Sequence, residues 1–269
     1  MPITISIPKK IRQYSLDRLL TEVQAITDDS QPDKLVITFN KAEEIPCSLV
    51  FRAHHKDLQL DVAMRAIPVT KEARAPTIAK TVRAVVQQMW EVRQEHIVNL
   101  IDYGEEQGGL EEGQVPLYFF VSEYLKGRQQ ITDVLTTSED LTEHLNLLNQ
   151  ALHALEYAHR RSIVHGRLHP GNLLVEVRNG QLFLRVTDFG HHTIDQMSAV
   201  PSKYETYIHP SHVNQVSEQG DLYSLGSVFY QILTEEPPSH RIKPMIATLR
   251  RRYRSSYPQI VQALEAAWS

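Results

Sequence analysis

The stretch from Ile163 to Val175 reads IVHGRLHPGNLLV, and the interpretation of the whole chain depends on it. It places two His, an Arg and an Asn within eight residues, between a run of helical periodicity and a strand-like run. Polar residues concentrated in this way between regular elements indicate a loop that carries chemistry. A loop that activates a hydroxyl group needs an acid, whereas the residues that follow His165 are Gly166 and Arg167.

The composition is that of an ordinary globular protein. The 269 residues are 42% hydrophobic and carry a formal net charge of −4. This is enough apolar sequence for one two-lobed domain or two small ones, and the charge balance does not favour a nucleic-acid partner. No run reaches the roughly 18 apolar residues that a membrane span needs, and the single cysteine, Cys47, allows no internal disulfide. We therefore expect a cytoplasmic protein without a membrane span.

The first half of the chain is interpreted as strands with one main helix. Apolar residues at helical spacing predict an amphipathic helix over 15–27, within an N-terminal extension that covers 1–33. Runs rich in Val, Ile and Phe predict strands over Lys34–Asn40, Ser48–His54 and Leu60–Ile67. The other elements expected in this half are a helix, two strands and the charged loop between those strands: Thr77–Gln94, Val98–Tyr103, Leu117–Val121 and Gly104–Val115.

The second half is interpreted as mainly helical. A capping signal at Thr137–Asp140 precedes leucines at helical spacing from Leu141 to Leu155, which predict a long helix. Asn179-Gly180 between two strand-like runs predicts a tight hairpin. A helix that is apolar nearly all round is expected over Asp221–Thr234 and should be buried. Strands with one helix followed by helices predict two lobes, with a site in the cleft between them.

Five motifs, in this order, resemble those of the protein kinase family, from about Lys34 to about Leu233. The third-strand motif, which ends in Lys in the family, resembles Val62-Ala63-Met64-Arg65. The hinge resembles Val121–Gly127, and the catalytic loop resembles His165–Asn172. The metal-binding motif resembles Asp188-Phe189-Gly190, and the start of the central helix resembles Asp221–Gly226.

This resemblance implies an α+β fold of the bilobal kinase type. The small lobe, an antiparallel sheet with one main helix, is expected over 34–121. The hinge falls at 122–128, and a mostly helical lobe, short for the family, covers 129–269.

The positions that would carry phosphoryl transfer depart from the family pattern. The base position falls on Arg167, and a guanidinium has no acceptor for a proton. Arg65 stands where the family has Lys, and its expected carboxylate partner falls near the apolar Val85. No Gly occurs in residues 1–103. The segment Lys41–Pro46, expected between the first two strands of the lobe, offers two Glu and a Pro in place of a glycine-rich phosphate cradle.

Other positions match the family. The resemblance implies that Asn172 and Asp188 are the metal-ligand pair and that Val50, Ala63 and Leu174 enclose an adenine. For the pair, metal binding and support of the fold alone are nearly equal interpretations. The remaining matches are interpreted as supports of the fold: His165, Phe189, Met89 and Asp221.

Losses in base, clamp and cradle lead us to expect a pseudokinase, which is not an enzyme and serves as a protein-binding scaffold or allosteric module. Its partner would be a protein, such as an active enzyme that it regulates, and no cofactor is expected. The alternative is a nucleotide sensor or an atypical nucleotide-dependent transferase. It would hold Mg-ATP through Asn172 and Asp188, with Arg65 beside the residues around the adenine.

Overall fold

The computed structural model describes residues 2–21, 25–41, 44–46, 48–69, 75–110, 113–135, 141–195, 204–212, 215–253 and 258–268. The chain divides into two compact units, each with its own core. Unit 1 comprises Met1–Glu91, Asn99–Tyr124 and Thr193–Pro201, and unit 2 comprises Val92–Val98, Leu125–His192 and Ser202–Ser269. No helix within the described ranges is both long and apolar enough to cross a membrane.

Unit 1 is built on an antiparallel sheet with one main helix, as the sequence predicts. The sheet order is β2-β3-β6-β7-β9-β8-β1-β5-β4. Alternating residues of the strands, such as Leu49, Phe51 and Ala53 on β6, fill one apolar core. The elements are β1 Ile3–Pro8, β2 Lys10–Ile11, β3 Tyr14–Leu19, β4 Ala25–Asp28, β5 Lys34–Phe39, β6 Leu49–His55, β7 Leu60–Pro68, α1 Ala75–Glu91, β8 Leu100–Leu110 and β9 Gly113–Glu123.

The helix predicted over 15–27 is wrong, because the described residues of this range lie mainly in strands. Tyr14–Leu19 is β3 and pairs with β6, and Ala25–Asp28 is β4 and pairs with β5. Tyr14 is buried in the sheet core, whereas Ile26, which the helical pattern placed on the apolar stripe, is 72% exposed. Pairing with neighbouring strands and burial of alternate residues therefore override the 3.6-residue periodicity.

The charged loop predicted over 104–115 is also largely strand. β8 continues to Leu110 and β9 begins at Gly113, so the two strands form a long hairpin. Glycines at 104, 108 and 109 weakened the strand signal in the sequence. In the structure, a Cβ on Gly104 would lie within 2.7 Å of the Arg12 guanidinium and the Phe119 ring, so a larger residue there would displace these side chains.

The position expected for the phosphate cradle is wrong for a topological reason. β5 and β6 follow each other in sequence but are not neighbours in the sheet, because β5 pairs with β1 and β4. The neighbour of β6 on that side is β3, and the pairing extends beyond β3, where the Leu20 N–H donates to the Val50 carbonyl at 2.7 Å. The segment Lys41–Pro46 therefore does not join two neighbouring strands of the sheet.

Unit 2 is mainly helical and contains a three-stranded sheet ordered β10-β11-β12. Asn179 and Gly180 both have positive φ, 51° and 78°, which is the two-residue hairpin turn that the sequence predicts. The capping signal at 137–140 lies outside the described residues, as does Cys47. The elements are β10 Gln129–Gln130, α2 Ile131–Leu135, α3 Leu141–His159, β11 Leu173–Arg178, β12 Gln181–Val186, α4 His192–Asp195, of which only His192 belongs to unit 2, α5 Glu218–Thr234, α6 Ile242–Tyr253 and α7 Pro258–Ala267.

The core of unit 2 forms around α5. This helix buries residues on nearly every side, as its apolar sequence predicts, and α3, α6 and α7 pack against it. Ser217 caps its first turn by accepting a hydrogen bond from the Gly220 N–H at 3.0 Å. α5 is therefore a rigid element, and its first turn provides the residue that holds the loop at 165–172.

Candidate functional site

Asp221, in the first turn of α5, holds the start of the loop at 165–172. Its carboxylate is 1% exposed and accepts the backbone N–H groups of His165 and Gly166, each at 2.8 Å. The His159 Nε2 lies 2.9 Å from the same carboxylate. A buried carboxylate needs such partners to offset its desolvation. Asp221 therefore fixes the loop backbone to the core of unit 2.

His165 ties the loop to the segment after β12. Its Nε2–H donates to the Thr187 carbonyl at 2.8 Å, and its Nδ1 accepts the Arg167 N–H at 3.3 Å. The Thr187 carbonyl can only accept, so Nε2 carries a proton, and Nδ1 faces the Arg167 N–H. The ring also lies 4.9 Å from that of Phe189, centroid to centroid.

Asn172 and Asp188 are brought together by the β11–β12 hairpin. Asn172 directly precedes β11, Asp188 comes two residues after β12, and the Thr187 N–H donates to the Asn172 carbonyl at 3.0 Å. The Asn172 Nδ2 donates to the Arg167 carbonyl at 3.1 Å, which turns its Oδ1 to the other side of the amide. The Thr187 hydroxyl donates to Asp188 Oδ1 at 3.2 Å.

This oxygen pair suits a hard cation. Mg²⁺ is usually bound through one or two side-chain oxygens together with substrate phosphates and water. Within the described ranges, no three His, Cys, Asp or Glu side chains are grouped so that they could bind a metal by themselves. Asp188 also has a left-handed backbone, with φ of 68°, a conformation that costs about 1 kcal/mol or more and is concentrated at functional sites.

The structure shows what the lack of a side chain at Gly166 permits. Its φ is +79°, and a Cβ placed on it would lie 2.5 Å from His192 Nδ1 and 2.8 Å from a Val216 methyl group. The imidazole of His192 therefore packs directly against the Gly166 backbone. This contact joins the loop at 165–172 to His192, two residues after Asp188-Phe189-Gly190.

His169 stabilises the end of the loop. Its Nδ1 accepts the Gly171 N–H at 3.1 Å and its carbonyl accepts the Asn172 N–H at 2.9 Å. Its ring stacks on Tyr204 with centroids 3.8 Å apart and planes 8° from parallel. His169 therefore helps to hold Asn172 in place.

In unit 1, the structure brings Val50, Ala63 and Arg65 to one face of the sheet. Val50 pairs with Arg65 and Arg52 with Ala63 on the adjacent strands β6 and β7. The Arg65 Nη1 donates to the Ser48 hydroxyl at 2.8 Å. Leu174, the other predicted adenine contact, lies on β11 in unit 2.

The residue expected as the carboxylate partner of Arg65 is apolar and buried. Val85 on α1 is 1% exposed and belongs to an apolar cluster with Ile78, Val82 and Met89. The only acid of α1 is Glu91, which is exposed at the last position of the helix. The Ser48 hydroxyl is one partner of the Arg65 guanidinium in the structure.

Sequence reasoning missed Ser48, Thr21 and His192. Ser48 lies two residues before Val50 on the same strand face, so knowledge of the β6–β7 register would have placed it diagonally opposite Arg65. Thr21, whose Oγ1 accepts the Val50 N–H at 2.7 Å, was obscured by the expected helix. Nothing in the local sequence pairs His192 with Gly166.

A comparison with known proteins bears on these residues. The family profile of the protein kinase domain matches residues 46–265. The chain belongs to the protein kinase family. Its relatives include the probable serine/threonine-protein kinase PknB of Bifidobacterium longum, which is 32% identical over 155 residues, 53% of this chain and 22% of that protein. The serine/threonine-protein kinase PknB of Mycobacterium tuberculosis is 29% identical over 197 residues, 68% of this chain and 30% of that protein.

The fold of this kinase-family chain is also that of solved kinase domains. The crystal structure of a doubly substituted kinase domain of Mycobacterium tuberculosis PknI has a TM-score of 0.62 and 17% identity, and the match covers 96% of this chain and 88% of that one. The singly substituted form of that domain has a TM-score of 0.60 and 19% identity. The expected kinase-type α+β fold is confirmed.

The expectation that the chain is not an enzyme is wrong. The family profile and the relatives, which are named as serine/threonine kinases, point to an enzyme. Arg167 and Arg65 remain departures from the family pattern, but a departure at one position is not a loss of activity. The chain spans only 22% and 30% of the lengths of the two PknB relatives.

Proposed function

We propose that this chain is a Mg-ATP-dependent phosphotransferase domain that acts slowly on a hydroxyl acceptor. The observation that carries this proposal is the Asn172–Arg167 hydrogen bond at the end of the β11–β12 hairpin. It orients the Asn172 amide oxygen beside the segment that holds Asp188. These two side chains would hold the Mg²⁺, which would neutralise charge on the transferred phosphoryl group.

The rest of the site explains why the rate would be low and still measurable. The transition state of phosphoryl transfer is loose, so most of the catalysis comes from positioning and charge stabilisation. A general base contributes about 10²- to 10⁴-fold, and Arg167 cannot serve as one. Arg167 instead supplies positive charge to the loop. This charge would stabilise the negative oxygens of the transferred phosphoryl group and would not activate the acceptor hydroxyl.

The test combines binding and transfer. Calorimetry with Mg-ATP should give a saturable signal for the unchanged chain and none for Asp188→Ala or Asn172→Ala, while Glu156→Gln, an exposed change on α3, should bind normally. Transfer of label from γ-labelled ATP to a general protein acceptor should accompany binding. Absence of binding at millimolar Mg-ATP would contradict the proposal.

Labelling at two positions of ATP separates the remaining outcomes. Incorporation of γ-label supports phosphoryl transfer, and incorporation of α-label would identify the atypical nucleotidyl transferase that the sequence analysis kept open. Binding without either would support the nucleotide sensor. Binding of a protein partner, which the sequence led us to expect, stays a prediction. The same holds for regulation of another enzyme through that partner.

A further inference from the structure

The antiparallel sheet of unit 1 closes on itself. β1 and β2 are two parts of one strand that bends at Lys9, the residue between them. β1 pairs with β8, where Ser6 lies opposite Gly109, and β2 pairs with β3, where Ile11 lies opposite Tyr14. Since β3, β6, β7, β9 and β8 are neighbours in that order, the bent strand joins the two ends of the series. A ring of paired strands of this kind is a small barrel.

Three strands form a flap on this barrel. The flap consists of β1, β5, β4 and the turn between β4 and β5, and both β1 and β4 pair with β5 over their whole length. Its side chains Ile7, Ile37 and Phe39 are fully buried and belong to the same apolar cluster as Phe51 on β6 and Phe119 on β9. The flap therefore covers part of the barrel core, and its displacement would expose that core to water.

The flap is attached to the other barrel strands by two short ladders. β1 meets β8 at Ile5 and Ser6, and β2, which continues β1, meets β3 at Lys10 and Ile11. At the seam between β1 and β8 the backbones approach closely, because a Cβ placed on Gly109 would lie 3.0 Å from the Ser6 Cβ. Ladders that are long within a segment and short around it favour opening of that segment as one cooperative unit.

Lys9 lies at the joint between the flap and β3. Its ammonium group has three donors, and three acceptors of the β4–β5 turn lie around it: the Asp29 Oδ1 at 2.7 Å, the Asp29 carbonyl at 2.9 Å and the Gln31 carbonyl at 2.5 Å. Its backbone N–H donates to the Asp33 carbonyl, and its carbonyl accepts the Leu16 N–H of β3, each at 2.8 Å. The side chain is 22% exposed, so these charge-assisted bonds are partly shielded from water.

We propose that the flap opens from the barrel as one body and that Lys9 is the latch that keeps it closed. The chain that leads from β3 to β6 passes through the flap, so opening would loosen that connection together with β1. A ligand or a modification that draws the ammonium group away from its three acceptors shifts the equilibrium toward the open flap. This inference concerns unit 1 alone and does not depend on the proposed function.

The first experiment measures the opening by amide hydrogen exchange of the full chain, followed by peptide mass spectrometry. Lys9→Met keeps the apolar stem of the side chain and removes the ammonium group. Peptides from β1, β4 and β5 should exchange at least about tenfold faster, and by a similar factor, because the charged hydrogen bonds to the turn are lost. Peptides from β6 and β7 should exchange as in the unchanged chain. The matched control is Lys10→Met, which removes the ammonium group of an exposed neighbour and should change nothing.

The pattern of exchange decides between one body and its alternatives. An unchanged rate in Lys9→Met would overturn the latch. Faster exchange in β4 and β5 without β1 would show fraying of the turn, and equal acceleration in β6 and β7 would show unfolding of the whole unit; either result contradicts the flap. Asp29→Ala removes one of the three acceptors and should give a smaller increase in the same peptides, which provides the test if Lys9→Met folds poorly.

The second experiment locks the flap. In a Cys47→Ser background, Ser6→Cys and Gly109→Cys place two thiols on directly opposite residues of the β1–β8 seam. Their disulfide, combined with Lys9→Met, should return the exchange of the flap peptides to near the rate of the unchanged chain, and reduction should make it fast again. Fast exchange in the cross-linked protein would refute the proposal, because the flap peptides would then open without leaving β8.

Discussion

Gly166 and Asp221 are joined by a 2.8 Å hydrogen bond from the Gly166 N–H to the Asp221 Oδ1, across 55 positions of sequence. The other carboxylate oxygen accepts the His165 N–H at the same distance. A long buried helix thus determines where a short loop lies, and the loop in turn places Arg167 and Asn172. The position of this loop in unit 2 therefore depends on one buried carboxylate.

Removal of that carboxylate should destabilise unit 2 strongly. Asp221→Ala leaves two backbone N–H groups and the His159 ring without their acceptor, at about 1–3 kcal/mol for each buried group. We expect a loss of at least about 3 kcal/mol in urea unfolding. Glu218→Ala, an exposed change in the same helical turn, should alter stability by less than about 0.5 kcal/mol. A similar loss in both variants would contradict the anchoring role.

Substitution of Gly166 should lower the free energy of unfolding by more than its left-handed backbone alone explains. Gly166 and Gly180 have nearly equal φ values, 79° and 78°, but a Cβ at Gly180 meets nothing within 4 Å. Gly180→Ala should therefore cost only the left-handed strain, about 1 kcal/mol. Gly166→Ala should cost about 2–4 kcal/mol, because its Cβ also collides with His192. Equal losses in thermal or urea unfolding would mean that the His192 contact adjusts freely.

An acid at position 167 should accelerate the proposed transfer. Arg167→Asp supplies a group that can accept the proton of the hydroxyl, and kcat should rise about 10²-fold or more. The Asn172 contact is made to the backbone carbonyl and survives the change. Arg167→Asn is the control, since it removes the charge without supplying a base. If Arg167→Asn accelerates transfer as much as Arg167→Asp, the charge, and not the missing base, limits the rate.

The stability of unit 2 should fall in mild acid because of His96. Burial lowers the pKa of His96 below its usual value of 6.5, although the hydrogen bond to the Leu184 carbonyl opposes this. The unfolded chain therefore binds a proton at His96 more readily than the folded chain, so stability falls as the pH drops through 6.5. Urea unfolding at pH 7.5 and 5.5 should show a smaller decrease for His96→Asn, whose amide can still donate to Leu184. An identical decrease would exclude His96 as a cause.

The N-terminal strands should be part of the core of unit 1. Ile7 on β1 is fully buried, so Ile7→Ala should cost about 2–5 kcal/mol. Ile26 on β4 is mostly exposed, and Ile26→Ala should be nearly neutral. The two variants are matched in chemistry and differ only in burial. A large loss for Ile26→Ala would restore the packed helix that the periodicity predicted.

The order of the motifs and the local geometry of unit 2 could be predicted from the sequence. The hairpin at Asn179-Gly180 and the buried helix over 221–234 depend on contacts within a few residues or on composition. The residues within and beside each of these elements therefore suffice to predict it. The inference from the losses in base, clamp and cradle to the absence of an enzyme was wrong, because substituted positions judged one by one do not report on how the parts of a site work together.

Only the tertiary structure decided which strand pairs with which, and with it the surroundings of Arg65. The chain from 14 to 19 has helical spacing but lies beside β6, and the strand at 34–39 lies on the other side of the sheet. The contacts of Ser48 with Arg65 and of Gly166 with His192 follow from that long-range arrangement. Local periodicity specifies which face of an element is apolar. The partner that covers this face is set by pairing between residues far apart in the chain, where register and burial are decided together.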